Sequence, residues 1–295
     1  MNMVDGKDII QVGHYESKEE MMKKKILYLG LVMVMALSFM VGCGSNKDDK
    51  AAESDSKSDD GYQYVTPADA VKAAADGETH VLDVREWSSY VEGRVANSEW
   101  CPIFPLEDET LADKMTDYAK ANLDDGEKIY IICNSGQRGA VKTTEVLTAA
   151  GIDAGLIYTV EGGAKALADE KGALSTDRSE ENIEWKYVTG EEALAADDAQ
   201  IIDVRDEENY DAGHLKDSIH SDLTDFESVK AQTAMYDLGI DELDNSKPVY
   251  FLCYSGNKCA KTGISVLKDA GFDVSNLFII EEGAKGSEIQ DAFEK

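Results

Sequence analysis

Lys128-Ile-Tyr-Ile-Ile-Cys-Asn-Ser-Gly-Gln-Arg-Gly-Ala140 is the stretch whose reading decides the fold of this chain. Its first half is an apolar run of β-branched and aromatic residues, the pattern of a strand buried on both faces. The run stops at Cys133, where Asn-Ser-Gly turns the chain into an Ala-, Val- and Leu-bearing helical segment. A thiol placed there lies between a strand end and a helix N-terminus, where unpaired backbone N–H groups and the positive end of the helix dipole favour an anion. Arg138 adds a fixed positive charge beside it. The same construction recurs as Pro248-Val-Tyr-Phe-Leu-Cys-Tyr-Ser-Gly-Asn-Lys-Cys-Ala260, with Cys253 in the thiol position and Lys258 in the arginine position.

A shift of 120 residues separates the two cysteines and aligns much of the remaining chain. Leu82-Asp-Val-Arg85 falls on Ile202-Asp-Val-Arg205, Tyr90 on Tyr210, Gly93 on Gly213, and Gly163-Ala-Lys165 on Gly283-Ala-Lys285. The protein is therefore a tandem duplication, with copy one over 62–170, a linker over 171–185 rich in Glu, Asp, Ser and Lys, and copy two over 186–295. In copy one, Thr66 and Pro67 read as the cap and first residue of a helix over 68–75, followed by a strand over 81–84 and a short helix over 87–91. A helix over 111–121, the strand over 129–132, a helix from Gly139 to Ala150 ended by Gly151, and a last strand over 155–160 complete the order. Strands alternating with helices predict a mostly parallel α/β sheet covered by helices on both faces. Ligands bind such sheets at the carboxyl ends of the strands, where Cys133 and Arg85 both fall.

The 295 residues, 43% of them apolar, suffice for two modest domains, and the net charge of −30 makes the surface strongly acidic. Such a surface repels phosphate backbones and anionic headgroups, which argues against nucleic acid as a partner and against electrostatic adsorption to a membrane. Lys23-Lys24-Lys25 followed by an apolar run to Gly42 has the layout of an export signal, so 1–42 is read as a signal region whose true start is Met21 or Met22. Met40-Val41-Gly42-Cys43 resembles a bacterial lipobox, with Met40 where Leu is more usual. Cys43 is then the lipidated residue, and the mature chain is extracytoplasmic and held to the membrane by that anchor; an ordinary cleaved signal or an uncleaved anchor is the alternative. The acidic, serine-rich segment 43–61 reads as a disordered tether.

Each copy resembles a rhodanese domain. Cys133-Asn-Ser-Gly-Gln-Arg138 is similar to that family's six-residue Cys-x-Ser-Gly-x-Arg loop, Asp83-Val-Arg85 to its early Asp-x-Arg, and Gly213-His-Leu215 to its Gly-His-Ile element. Copy one departs at Arg94, where the family has His, and copy two at Lys258, where it has Arg. Neither copy keeps the Trp common after the Gly-Gly turn. The resemblance implies two tandem rhodanese-like domains and a sulfurtransferase needing no cofactor, in which Cys133 and Cys253 accept sulfur from a small anionic donor such as thiosulfate and pass it to a thiol, a protein or cyanide. It implies that Arg138, Lys258, Arg85 and Arg205 bind the donor, although a structural ion pair with a nearby carboxylate is the alternative for Arg85 and Arg205. Phosphatases and arsenate reductases of this fold place their arginine one residue further from the cysteine, so the loop length favours sulfur.

The other cysteines and the histidines are read separately. Cys259 lies in the first turn beyond the second loop, where copy one has Gly139, and either resolves a persulfide on Cys253 or fills space. Cys101, in the apolar stretch Trp100-Cys-Pro-Ile, reads as core, and His80, His214 and His220 as structural. No spacing of Cys and His suggests a metal site. Two functional classes follow: a catalytic sulfurtransferase, and a persulfide carrier or rhodanese-like binding module that delivers sulfur to a protein partner.

Overall fold

The computed structural model describes residues 56–57 and 61–294. The segment 1–42 read as a signal region, Cys43 read as lipidated, and nearly all of the segment read as a tether lie outside the described residues. Among the described residues no helix is long and apolar enough to cross a membrane.

Copy one contains β2 (Gln63–Val65), α1 (Pro67–Asp76), β3 (His80–Asp83), α2 (Trp87–Val91), β4 (Glu99–Trp100), α3 (Glu109–Tyr118), β5 (Ile129–Ile132), α4 (Arg138–Ala150), β6 (Ile157–Val160) and α5 (Gly163–Asp169). Its sheet has the order β2-β6-β5-β3-β4, every pair parallel. At the β2 edge, β1 (Ser56–Lys57) adds antiparallel, inside the segment read as tether. An edge strand leaves a row of backbone groups open, and β1 pairs with that row.

Copy two repeats the plan with β7 (Tyr187–Val188), α6 (Gly190–Ala195), β8 (Gln200–Asp203), α7 (Glu207–Ala212), β9 (His214–Leu215), β10 (Ile219–His220), α8 (Val229–Asp241), β11 (Val249–Leu252), α9 (Lys258–Asp269), β12 (Leu277–Ile280), α10 (Ser287–Asp291) and β13 (Phe293–Glu294). Its sheet, β7-β12-β11-β8-β10, is again wholly parallel, and β9 pairs antiparallel with β13 beside it.

The two-residue period of a strand sends successive side chains to opposite faces, and here both faces are buried. Leu82, Ile129 and Ile131 enter the core under α3 and α4, while Val81, Tyr130 and Ile132 enter the core under α1 and α5. In copy two Phe251 packs under α8 and α9, and Leu252 packs on the other face with Ala193 and Ile289. Helix ends follow the caps: Thr66 accepts the Asp69 amide with Pro67 next in line, and Thr189 and Glu192 form a reciprocal capping box. The last strand of copy one is shorter than its apolar pattern, because Asp153 accepts the Gly155 amide and starts a 3₁₀ turn over Ala154–Leu156.

The segment 171–185 is charged in sequence, yet part of it is buried between the copies. Arg178 is 1% exposed and Glu181 6%. Arg178 donates to Gln232 Oε1 (2.9 Å), Ser265 Oγ (3.1 Å) and Asp269 Oδ2 (2.6 Å), and its guanidinium lies over the rings of Trp87 and Tyr90. Glu181 accepts from the buried Arg94 of copy one and, in copy two, from Lys268 Nζ (3.1 Å) and Ser265 Oγ (2.7 Å). Trp87 stacks on Tyr236 with ring centroids 4.0 Å apart. Burial works against the Glu181 carboxylate, but Lys268, Arg94 and Arg178 outweigh it and hold the group down at about 2.

Candidate active sites in the two copies

β5 and β11 are central strands, and each delivers its cysteine to the carboxyl edge of its sheet. Cys133 and Cys253 follow the last strand residue and are 1% and 3% exposed. The next residues turn sharply. Gly136 and Gly256 sit at φ 67° and 65°, a region that L side chains rarely adopt, and a Cβ on either would meet the carbonyl of Val160 or Ile280 at 2.8 or 2.9 Å. The turn after β6 or β12 then folds over the loop, so that the Ala164 amide donates to Cys133 O and the Ala284 amide to Cys253 O, both at 2.8 Å. A Cβ on Gly163 or Gly283 would lie 2.2 or 2.1 Å from those same cysteine carbonyls. These glycines therefore belong to the site although they carry no chemistry.

In copy two the sulfur is visibly cradled. Cys253 Sγ accepts backbone N–H groups from Ser255 (3.4 Å) and Asn257 (3.2 Å), donors suited to an anionic sulfur. Lys258 opens α9 but is only 47% exposed, 3.5 Å from Asp177 Oδ2 in the segment between the copies and with its ammonium over the Phe226 ring. Burial disfavours the Asp177 carboxylate, but bonds from Ser179 and the Lys258 charge keep it below the usual carboxylate range. Asp177 was not singled out from the sequence, and it has no counterpart one repeat away that could have marked it. In copy one Arg138 opens α4, is exposed, and makes no side-chain hydrogen bond or ion pair with the described residues. Arg85, Ser89, Asn134 and Lys165 line a cleft of about 370 Å³ beside the copy-one loop.

Arg85 and Arg205, for which the resemblance implies donor binding, each make the ion pair with a nearby carboxylate that is the alternative reading. Arg85 Nε and a terminal nitrogen hold the Asp83 carboxylate (2.9 and 2.7 Å), and its other donors reach the carbonyls of Ser89 and Gly93. Arg205 repeats this with Asp203 and the Gly213 carbonyl, and its guanidinium also lies over Phe293. With four of its five N–H donors committed inside the protein, Arg85 braces the strand end instead of presenting a fork to solvent. The carbonyl of each arginine accepts a further bond, from Trp100 Nε1 in copy one, and lies 2.8 Å from His220 Nε2 in copy two.

The histidines have partners. His214 and His220 both stack on Tyr210, at 4.1 and 4.4 Å. His80 meets Glu99 through Nδ1 (2.6 Å) and Asp125 through Nε2 (3.3 Å), and the Glu99 bond, opposed by burial and helped by Asp125, raises its pKa to about 9. His80, Asp125 and Glu127 bring their possible ligand atoms within 4.8 Å of one another, but both ring nitrogens of His80 already face carboxylates. Cys101 is buried in the core, as its apolar setting implied, and burial pushes its thiol up to about 12.

A model of the rhodanese-like domain matches residues 66–170 and 190–287, one match for each copy. Thiosulfate sulfurtransferase GlpE of Pseudomonas entomophila is 31% identical over 105 residues, which cover 34% of this chain and 82% of that protein. The tRNA uridine(34) hydroxylase of Staphylococcus aureus is 28% identical over 110 residues, 33% of this chain but only 32% of the hydroxylase, so the chain spans about a third of that relative's length. Among solved structures, the thiosulfate sulfurtransferase from Pseudomonas aeruginosa aligns over 78% of this chain and 43% of its own, at 15% identity and a TM-score of 0.35. With both copies matched over well more than half of the sequence, the chain belongs to the rhodanese-like domain family, as a tandem pair.

Proposed function

We propose that the protein is a sulfurtransferase that moves a sulfane sulfur through a cysteine persulfide. The observation that carries this reading is the placement of Cys133 and Cys253 at a strand-to-helix turn, with loop amides directed at the sulfur in copy two and an uncommitted arginine beside the loop in copy one. The thiolate attacks the outer sulfur of a donor such as thiosulfate, the sulfur–sulfur bond of the donor breaks, and sulfite leaves with its electron pair. Loop N–H groups suit the resulting terminal anion, and a forked guanidinium suits the sulfonate oxygens of donor and leaving group. A thiol or cyanide then takes the outer sulfur and regenerates the cysteine. The relatives named thiosulfate sulfurtransferase support the same donor class. We place the reaction outside the cytoplasm, with the chain tethered through lipidated Cys43; N-terminal analysis of the native protein should find a mature chain that begins at a modified Cys43.

The test is a thiosulfate-to-cyanide assay combined with intact mass. Thiocyanate formation, together with a chain heavier by one sulfur after donor alone, is the expected result. A stable adduct without turnover would instead identify a persulfide carrier that hands sulfur to a protein partner, a reading favoured in copy two by the engagement of Lys258 with Asp177. Neither adduct nor turnover would remove sulfur transfer from both copies.

A further inference from the structure

Copy two carries a second thiol, Cys259, in the first turn of α9 where copy one has Gly139, and the surroundings of that glycine reveal what the thiol can reach.

A Cβ built on Gly139 would lie 2.9 Å from Cys133 Cβ and 2.6 Å from the Phe104 ring, too close to both. Copy two keeps the same backbone: the residues before the helix, Gln137 and Asn257, have φ −126° and −128°, and each accepts the first helical amide bond from Val141 or Lys261 at 3.0 or 3.1 Å. What changes is the filling. One repeat on, Thr224 stands for Phe104 and Cys259 for Gly139. Ile103 and Leu223, the residues just before, donate identically to Val84 O and Val204 O at 3.1 Å, so the exchange occurs at one place in the fold. Thr224 is smaller than Phe104, so the clash that a side chain at this position meets in copy one is relieved, and Cys259 packs against the copy-two core. On the copy-one backbone a Cβ at this position lies beside the Cβ of the loop cysteine, so the shared backbone makes Cys259 a neighbour of Cys253, and a disulfide asks only that their Cβ atoms settle about 3.5–4.5 Å apart. Burial first, then the neighbouring Cys253 and Asp222, push the Cys259 thiol up to about 11, which again puts the two cysteines side by side.

We propose that Cys259 resolves a persulfide formed on Cys253 by closing a Cys253–Cys259 disulfide, so that copy two releases its accepted sulfur as hydrosulfide. This rests on Cys253 bearing a persulfide as proposed above. Cys259 Sγ attacks Cys253 Sγ, the bond from Cys253 Sγ to the terminal sulfur breaks, and the terminal sulfur leaves with the electron pair. The Cys259 proton goes to the departing sulfur, giving HS⁻ from the persulfide anion. The sulfane sulfur is thereby reduced and the two cysteine sulfurs oxidised, with no outside oxidant. A dithiol reductant then returns the pair to thiols. Copy one, with glycine at 139, holds its persulfide until an acceptor arrives.

The full chain with Cys133→Ser is treated with thiosulfate and no acceptor, then alkylated and mapped by mass under non-reducing conditions, with sulfide measured alongside. The expected result is a linked Cys253–Cys259 peptide and about one equivalent of sulfide. Adding Cys259→Ser should abolish sulfide release and leave Cys253 one sulfur heavier. A lasting persulfide on Cys253 in the presence of Cys259, or sulfur found on Cys259, overturns the inference while leaving sulfur transfer standing. No sulfur on Cys253 in either variant overturns the underlying reading and this inference with it. As a check independent of Cys259 substitution, Phe104→Thr with Gly139→Cys in a Cys253→Ser chain should confer sulfide release on copy one.

Discussion

The copy-one loop leaves Arg138 in solvent beside a glycine, whereas the copy-two loop holds Lys258 against Asp177 and places Cys259 where that glycine stood. Their backbones are alike in strand, turn and cap, so the differences are in the side chains around a common frame. Two of these differences come in compensating pairs. Phe104 with Gly139 becomes Thr224 with Cys259. A Cβ on Gly162 would strike Ala166 Cβ at 2.6 Å, and copy two, with Gly286 in the place of Ala166, accepts Glu282 there at φ 57°. Duplication preserved the packing rule and let the chemistry diverge within it.

The sharpest way to break this comparison is to remove each nucleophile in turn. A guanidinium can make two parallel charge-assisted bonds to a sulfonate, and an ammonium tied to a carboxylate cannot. Losing one such bond in the transition state corresponds to about 1–2 kcal/mol, or roughly tenfold in rate, so Cys133→Ser should lower thiosulfate turnover at least about tenfold while Cys253→Ser lowers it less than about twofold. In the Cys133→Ser chain, Lys258→Arg combined with Asp177→Asn should recover part of the loss, because both the fork and its freedom are then restored. A larger loss from Cys253→Ser would show that the loop amides on Cys253, and not Arg138, set the rate.

The second prediction concerns what joins the copies. Glu181→Ala leaves Arg94 and Arg178 buried without their common carboxylate, and breaking a buried pair costs about 3–5 kcal/mol. Chemical denaturation should register that loss in the unfolding of both copies. A change below about 1 kcal/mol would show that the copies are held by the Trp87–Tyr236 stack and the rest of the apolar contact.

The smallest effect distinguishes the copies by pH. His80 is a histidine only in copy one; the matching Gln200 bonds the Asp244 backbone and does not titrate. Because the folded pKa of His80 is raised from 6.5 to about 9, its stabilisation is fully present below 6.5 and is lost as pH rises through about 9. Partial exposure reduces the contribution to roughly 1 kcal/mol. The stability of the protein should fall across this window, and His80→Gln should flatten the slope. An unchanged slope would place the titration elsewhere.

Periodicity and repetition were enough to determine the α/β class, the duplication, the parallel sheets and the two cysteine turns, because burial on both faces of a central strand demands a continuous apolar run such as Ile129–Ile132. Spacing likewise put Arg85 and Arg205 at strand ends. It could not say whether their donors faced a ligand or Asp83 and Asp203, since that depends on rotamers and on the carbonyls of Gly93 and Gly213 arriving from a later turn. The charged segment 171–185 has the composition of an exposed linker, and only the folded chain brings Arg94, Lys268 and Asp269 from distant elements to pair with Arg178 and Glu181. Composition records which charges a segment carries, but whether a charge is solvated or buried depends on the partners that tertiary structure places beside it.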